Sequence, residues 1–433
     1  MDAKDFDVKR LKPATLPTPH KFANRRGGRQ VRYVEESERV LVEVLAGRGY
    51  GLSFERAGPR SLIAYDPART TAAILTAGGL CPGLNDVIRA LVLALEHHYG
   101  VQRILGIPYG YAGLMRPFSK DIRPITSDTV RGLSLRPGTI LGSGRTVPDV
   151  PMMVDTLRAY NIDILFCIGG DGTQTGAHEI CEEVAERGLD ISVIGVPKTI
   201  DNDVQWVEKT FGFDTAVDQA ARAVQAAHVE AECAINGVGL VKLMGRDSGF
   251  IAAHAALAGS EANYVLVPEV PFEMEGPHGL LAALEKRLEK RRHAVVVVAE
   301  GAGKELLAAH NTKNAHHQKD IGVFLRDQVK GWFKAQNVPL SLKYIDPSYI
   351  IRAAATSSAD ATFCLQLGHH AVHAAMAGRT DMLVGSWHNV FTHVPIPICV
   401  TARKKIDPDG DLWRAVLEST GQPPLTNDPA ARS

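Results

Sequence analysis

The sequence predicts an α/β protein with mainly parallel sheets covered by helices on both faces. Three observations predict it. From Thr70 onward, short apolar runs alternate with amphipathic stretches of helical length, and strands alternating with helices build parallel sheets. Polar turns, two of them rich in glycine, follow three of the apolar runs, at the place where α/β sheets bind ligands. The chain has 433 residues, 45% apolar and 22% charged; that is an ordinary globular composition, long enough for two to three domains at ~150 residues each.

Residues 1–70 read differently from the rest. They hold the Pro-spaced stretch LKPATLPTPH and a basic run from Lys21 to Arg32, and are expected to be a solvated extension or an arm that wraps a partner subunit. A nucleic-acid arm would interleave aromatic residues for stacking, and Phe22 and Tyr33 alone do not supply that. Beyond Thr70, strands are expected over 72–76, 103–107, 163–168, 192–196, 239–243, 264–267 and 294–299, with another near 382–385. Helices are expected over 83–99, 172–187, 215–234, 248–259, 278–291, 321–335 and 357–377. The residues after Thr420 read as a polar tail.

Composition narrows the function classes. Lys+Arg and Asp+Glu both total 48, so the formal charge is zero. A chain-wide field for nucleic acid or an anionic membrane is absent, and an anion site must be local. Six cysteines in no paired spacing point away from a disulfide scaffold and a CxxC zinc module and fit a reducing cytoplasm. The opening MDAKDFDVKR has no apolar core, so no signal peptide is expected, and no apolar run is long enough to predict a membrane span.

The three polar turns carry the chemistry. Gly78-Gly79 stand between a strand and a helix, where paired glycines let the backbone approach an anion and the helix start offers free N–H groups. Gly169-Gly170-Asp171-Gly172-Thr173 repeat the arrangement with a carboxylate at the tip. An acid beside a phosphate cradle makes sense with a cation between them, so Asp171 is a candidate Mg²⁺ ligand. The third turn, Pro197-Lys198-Thr199-Ile200-Asp201-Asn202-Asp203, offers two carboxylates two residues apart. On an extended loop they would point the same way, one to act as a base and the other to assist a metal. Met244-Gly245-Arg246 and Tyr349-Ile350-Ile351-Arg352 add guanidinium groups suited to phosphate.

With these pieces in order the chain resembles the 6-phosphofructokinases. TAGGLCPGLN, LGSGR, GGDGT, PKTIDND, MGRDSGF, VVAEG and YIIR carry the likeness, from about Thr71 to His393. GGDGT also occurs in lipid and NAD kinases; TIDND with MGR and the first Gly-Gly turn is specific. The resemblance implies two Rossmann-like domains in the phosphofructokinase fold: 71–212 plus 358–400 for nucleotide and 213–357 for sugar phosphate, flanked by the 1–70 extension and a 401–433 tail. It implies phosphoryl transfer from ATP, with Mg²⁺, to the 1-hydroxyl of fructose 6-phosphate, a glycolytic step. Gly78, Gly170, Asp171, Gly172 and Thr173 would hold the nucleotide phosphates, and Arg145 would bridge the phosphoryl groups. Asp201 matches the catalytic base and Asp203 its partner carboxylate. Thr199, Ile200, Met244, Gly245, Arg246, Glu300, Lys343, Tyr349 and Arg352 match the sugar-phosphate site. Tyr349 stands where bacterial enzymes usually have His, and Lys343 where they have an Arg reaching across subunits.

Gly172 and Lys198 bear on the phosphoryl donor. Pyrophosphate enzymes of the family generally carry Asp at the position of Gly172, which would repel the α-phosphate of ATP, whereas Lys198 is the residue typical of pyrophosphate enzymes. The plant and trypanosomatid ATP enzymes show this mixture. ATP is the expected donor, because a carboxylate against phosphate is excluded by sterics and charge, while a flexible Lys can fold aside. A pyrophosphate-dependent enzyme and a non-catalytic sugar-phosphate-binding subunit are the alternatives. The stretch 236–239 lacks the Arg of bacterial enzymes, so their cross-subunit regulation is not carried over.

Other signals read as ordinary. Gly301-Ala302-Gly303-Lys304 lacks P-loop spacing. His369, His370 and His373 lack a third-ligand context and read as helix histidines; His97-His98 and His316-His317 read as solvated, and Cys81 as a small inert side chain. A cytoplasmic homodimer or homotetramer is expected, without nucleic-acid or membrane partners.

Overall fold

The computed structural model describes residues 2–20, 33–45, 51–313 and 319–430. The basic run from Lys21 to Arg32 and the His316-His317 pair lie outside the described residues. The chain divides into two compact units: Met1–Ile200 with Val204–Gly212 and Ala353–Arg403, and Asp201–Asp203 with Phe213–Arg352 and Lys404–Ser433.

The first unit is built on a nine-stranded sheet in the order Arg39–Leu41, Ser53–Arg56, Val390–Pro395, Met382–Trp387, Ser192–Pro197, Ile164–Gly169, Thr71–Thr76, Arg103–Ile107, Arg123–Pro124. The five strands from Met382–Trp387 to Arg103–Ile107 run parallel, and the outer ones are antiparallel. Every residue of Thr71–Thr76, Ile164–Gly169 and Ser192–Pro197 is buried, which is why these strands are written as unbroken apolar runs rather than alternating ones. Ala72 and Ile74 face a core closed by the helices Leu84–Leu93 and Ser358–Met376. Ala73 and Leu75 face the opposite core, closed by Val150–Ala159 and Asp171–Glu186.

The strands and helices expected from Thr70 onward occur within a few residues of their predicted bounds. The expected helix 83–99 is an α-helix over Leu84–Leu93 that widens into a π-helical turn over Ala94–Tyr99. The N-terminal segment, expected as an extension or arm, adds two strands to the sheet in its described residues, pairing through Thr392↔Arg56. Its Phe6 and Phe54 are fully buried with ring centroids 5.1 Å apart, and Phe54 packs on Trp387 at 5.6 Å. Too few apolar residues in a row announce those strands, because each borrows its core from residues far along the chain.

The second unit carries a four-stranded parallel sheet, Tyr264–Leu266, His293–Ala299, Gly237–Leu243, Ser341–Ile345. Its core joins Val296 and Val298 to Leu281, Leu284, Phe324 and Phe333 of the covering helices. The Ser341–Ile345 strand is half-buried at the edge and has no apolar run to predict it. The region expected as a C-terminal tail is packed here instead. The helix Asp411–Thr420 buries Trp413 and Val416, Leu425 joins the core, and Gln422 exchanges hydrogen bonds with the backbone of Val265 at 2.6 and 3.3 Å. Among the described residues no helix is long and apolar enough to cross a membrane.

Candidate active site

In the first unit, neighbouring parallel strands end side by side. Register pairs Thr76 with Ile168 and Gly169 with Pro197, so the turns after these strands are adjacent at the carboxyl edge of the sheet. Gly78 adopts φ +87°, a backbone that side chains other than glycine rarely tolerate, and a Cβ there would stand 3.2 Å from Lys198 Nζ. The lysine is buried with its ammonium against the first turn. The Gly78 N–H donates to Gly144 O at 3.0 Å, and Ser143 Oγ donates to Gly78 O at 2.6 Å. That fastening carries Arg145 to the same place, with Nη2 3.5 Å from where a Gly79 Cβ would be.

Asp171 and Gly172 begin the helix Asp171–Glu186 directly after Gly170, where backbone N–H groups lack intrahelical partners. Thr173 and Gln174 are buried beneath the turn, and Gln174 Nε2 donates to Gly169 O at 2.9 Å. Gly172 is exposed, and no atom lies within 4 Å of where its Cβ would be. Asp171 Oδ2 is 2.8 Å from Arg403 Nη2. Arg403 was hidden in a stretch that reads as a tail; the basic run Arg403-Lys404-Lys405 was the available signal. Among the described residues no three His, Cys, Asp or Glu side chains form a metal cage. A single carboxylate already facing a cation nevertheless fits Mg²⁺, which takes one or two carboxylates and completes its shell with water and substrate phosphates. The sequence therefore brings together Gly78, Arg145, Gly170, Asp171, Gly172, Thr173 and Lys198. Thr199, whose carbonyl accepts from Thr210 Oγ1 at 2.7 Å, and Ile200 follow Lys198 in the same unit.

In the second unit, Asp201 and Asp203 meet the residues that follow the Gly237–Leu243 and His293–Ala299 strands. The loop is not extended as expected: Asn202 is left-handed, φ +56°, so the carboxylates are related by a turn. Burial pushes the Asp201 carboxyl up from its ordinary 3.8 to about 7. The Asp203 and Glu300 carboxylates add to the rise, while the Arg246 N–H and the charge of Arg352 oppose it. Ser248 Oγ donates to Asp201 O at 3.4 Å, and the Lys404 N–H donates to Asp203 O at 2.9 Å.

The two strand ends are drawn together by Glu300 N–H donating to Leu243 O at 2.8 Å and Gly301 N–H to Gly245 O at 3.0 Å. A Cβ on Gly301 would stand 1.9 Å from Arg246 O, so only glycine permits this approach. Met244 is buried and Arg246 is exposed. Arg352 ends the helix Ser348–Arg352, with its guanidinium carbon 5.9 Å from the centre of the exposed Tyr349 ring. Lys343 is not at a strand end. It is exposed in mid-strand, registered with Gly239.

The residues that read as ordinary in the sequence take definite places. Lys304 opens the helix Lys304–Lys313 and pairs with Asp247 at 2.8 Å. Cys81 is buried. His98 is a correction: it is half-buried, not solvated, with its ring 5.0 Å from that of His369 and 5.3 Å from that of His20.

The model of the family described as "Phosphofructokinase" matches residues 71–375. The chain is 46% identical over 406 residues to a protein of Borreliella burgdorferi named ATP-dependent 6-phosphofructokinase, covering 90% of this chain and 91% of that one. It is 44% identical to the protein of the same name from Trypanosoma brucei brucei, covering 96% and 87%. Among solved structures, the pyrophosphate-dependent phosphofructokinase of Nitrosospira multiformis superposes with a TM-score of 0.68 at 18% identity, over 84% of this chain and 96% of that one.

Proposed function

Because this chain belongs to the phosphofructokinase family, we propose that it transfers the γ-phosphoryl group of ATP to the 1-hydroxyl of fructose 6-phosphate, giving fructose 1,6-bisphosphate and ADP in glycolysis. The observation that carries the reading is Asp201, a buried carboxyl facing the carboxylates of Asp203 and Glu300, the Arg246 N–H and the charge of Arg352, and pushed up to about 7 by that burial. A general base works best with a pKa near the working pH. Asp201 takes the proton of the 1-hydroxyl as its oxygen bonds to the γ-phosphorus and the bond to ADP breaks.

Phosphoryl transfer asks the protein for positioning and charge neutralisation. Residues 71–212 with 358–400 serve the nucleotide and 213–357 the sugar phosphate. Gly78, Gly170, Gly172 and Thr173 cradle the donor phosphates with backbone N–H groups, and Arg145 and Lys198 neutralise them. Asp171 would hold Mg²⁺, which supplies further neutralisation of the donor phosphates when bound. Thr199, Ile200, Met244, Gly245 and Arg246 line the sugar, Glu300 accepts from its hydroxyls, and Tyr349 and Arg352 grip the 6-phosphate, with Lys343 a more distant contributor. Asp203 supports the base. The open space at Gly172 favours ATP over pyrophosphate. The protein works in the cytoplasm as a homodimer or homotetramer.

Side-by-side assays with ATP and pyrophosphate as donors, each with fructose 6-phosphate and Mg²⁺, test the reading. It expects fructose 1,6-bisphosphate from ATP and little from pyrophosphate; turnover with pyrophosphate alone would overturn the donor assignment.

A further inference from the structure

A second cationic pocket lies in the first unit, at the other edge of the sheet. Arg379 precedes the Met382–Trp387 strand, so the pocket sits at the amino end of the parallel strands, whereas the turns at 78, 171 and 198 follow their carboxyl ends. The cavity is about 310 Å³, roughly ten water volumes at ~30 Å³ each. Its lining includes four cationic side chains, Arg10, Lys12, Arg60 and Arg379, and only two acids, Glu35 and Glu36. Arg60 and Arg379 are almost wholly buried, which is rare for arginine without dedicated partners.

Glu55, buried behind them, satisfies part of the demand: it accepts from Arg60 Nη2 at 2.9 Å and from Arg379 Nη2 and Nε at 2.8 and 3.0 Å. Backbone carbonyls take three more bonds: Arg60 donates to Val34 O and Arg56 O at 3.1 and 2.8 Å, and Arg379 Nη1 to Ala377 O at 3.0 Å. Arg10, Arg379 Nη2 and Arg60 Nε face Glu36. Arg10 Nη2 and Arg379 Nη2 each stand 2.5 Å from Glu36 Oε2, and Arg60 Nε is 3.3 Å from Oε1. The Arg60 Nε–H is buried yet makes no hydrogen bond. A carboxylate has acceptor sites enough for three donors, but they lie in one plane and leave the Arg60 Nε–H out; a tetrahedral oxyanion spreads its acceptors over four oxygens. Glu36 is also half-exposed, at 49% of its side-chain surface, so it can turn into water, provided that an incoming anion takes its place at the buried guanidinium groups.

We propose that this pocket binds a phosphate dianion, free or as the monoester group of a small metabolite, with Arg10, Arg60 and Arg379 taking the anion in the place Glu36 now fills. Planar guanidinium forks are the groups that recognise such oxyanions with several bonds at once. Lys12, with Nζ 3.8 Å from the centre of the Tyr65 ring, adds positive charge at the rim.

The test uses the full chain. Crystals soaked in tungstate, a heavy tetrahedral dianion, should show a tungsten peak among Arg10, Arg60 and Arg379 with Glu36 turned outward. Thermal-shift titrations with inorganic phosphate and with glycerol 2-phosphate then compare wild type, Glu36→Gln and Arg10→Ala. Glu36 and Arg10 are both half-exposed, so both variants should fold. Glu36→Gln should lower the half-saturating concentration about tenfold and Arg10→Ala raise it about tenfold. A response to inorganic phosphate alone assigns the free ion, and a tighter response to glycerol 2-phosphate assigns the monoester. No peak in the pocket, or half-saturation unchanged by both substitutions (binding at crystal concentration only), overturns the proposal.

Discussion

Arg403 pairs with Asp171: its Nη2 lies 2.8 Å from Oδ2 of the carboxylate that opens the helix after the Gly169-Gly170 turn. The guanidinium occupies the place a cation would take beside a phosphate cradle, so under the proposed function arginine and Mg²⁺ would compete for one acid. The pair is partly exposed, at 41% and 21%, and such pairs contribute roughly 0.2–1 kcal/mol. Arg403→Gln should therefore lower the half-saturating Mg²⁺ concentration about two- to fivefold in an assay at fixed ATP. A higher Mg²⁺ requirement would show that Arg403 holds the donor phosphates itself.

Asp201→Asn separates catalysis from stability. Activity should fall about 10²- to 10⁴-fold with the loss of a general base, and wild-type kcat/KM should rise with pH through about 7 as Asp201 loses its proton. Between the ordinary 3.8 and about 7 the native carboxyl holds a proton that the unfolded chain has released. Stability contributed by this group therefore falls as pH rises across that window. The Asn variant should melt higher than wild type at pH 8 and show no such gain at pH 4. A lower melting temperature at both values would mean that Asp201 holds structure.

Gly172→Asp addresses the donor. No atom lies within 4 Å of the new Cβ, and Asp is favourable in the first turn of a helix, so the fold should be retained within ~0.5 kcal/mol. The carboxylate would repel a nucleotide α-phosphate that pyrophosphate lacks. The ratio of ATP to pyrophosphate turnover should fall at least tenfold; an unchanged ratio places the discrimination elsewhere.

The histidines of the first unit predict acid sensitivity. His20, His98, His369, His370 and His373 lie ring against ring, with His373 Nδ1 2.8 Å from Tyr99 Oη. Burial lowers His370 to about 3, helped by His393, His369, Arg56 and Arg60, and lowers His369 to about 4, helped by His98 and His20. The unfolded chain takes up protons near 6.5 that the native state refuses, so stability should drop as pH falls from about 6.5 towards 4. His370 stacks on Phe391 at 4.5 Å, and its buried Nδ1 has no hydrogen-bond partner. His370→Phe should flatten the slope, read as melting temperature against pH. An equally steep curve would place the sensitivity in other groups.

The core strands were legible because strands buried on both faces must be apolar without interruption, as in Ile164–Gly169. The turns after them were legible because glycines are required where Gly78 adopts φ +87° or where Gly301 abuts Arg246 O. The edge strands Arg39–Leu41, largely exposed, and Ser341–Ile345, half-buried, were not, since an edge strand takes its partners from distant sequence. The turn at Asn202 was missed because nothing in the spacing of Asp201 and Asp203 announces a left-handed residue between them. Lys343 matched by position but lies in mid-strand, away from the residues at the strand ends.

By itself the sequence determined the parallel α/β class, the glycine-rich turns and the family, because each depends on local chemistry: apolar runs, residues with permitted backbone angles, and words such as TIDND. Only the tertiary structure decided that Arg403 answers Asp171, that Lys198 lies against Gly78, that three guanidinium groups share Glu36, and that burial pushes the Asp201 carboxyl up. Those outcomes are set by burial and by charges brought close from remote parts of the chain, and Coulomb energies depend on distance in space, not on separation in sequence.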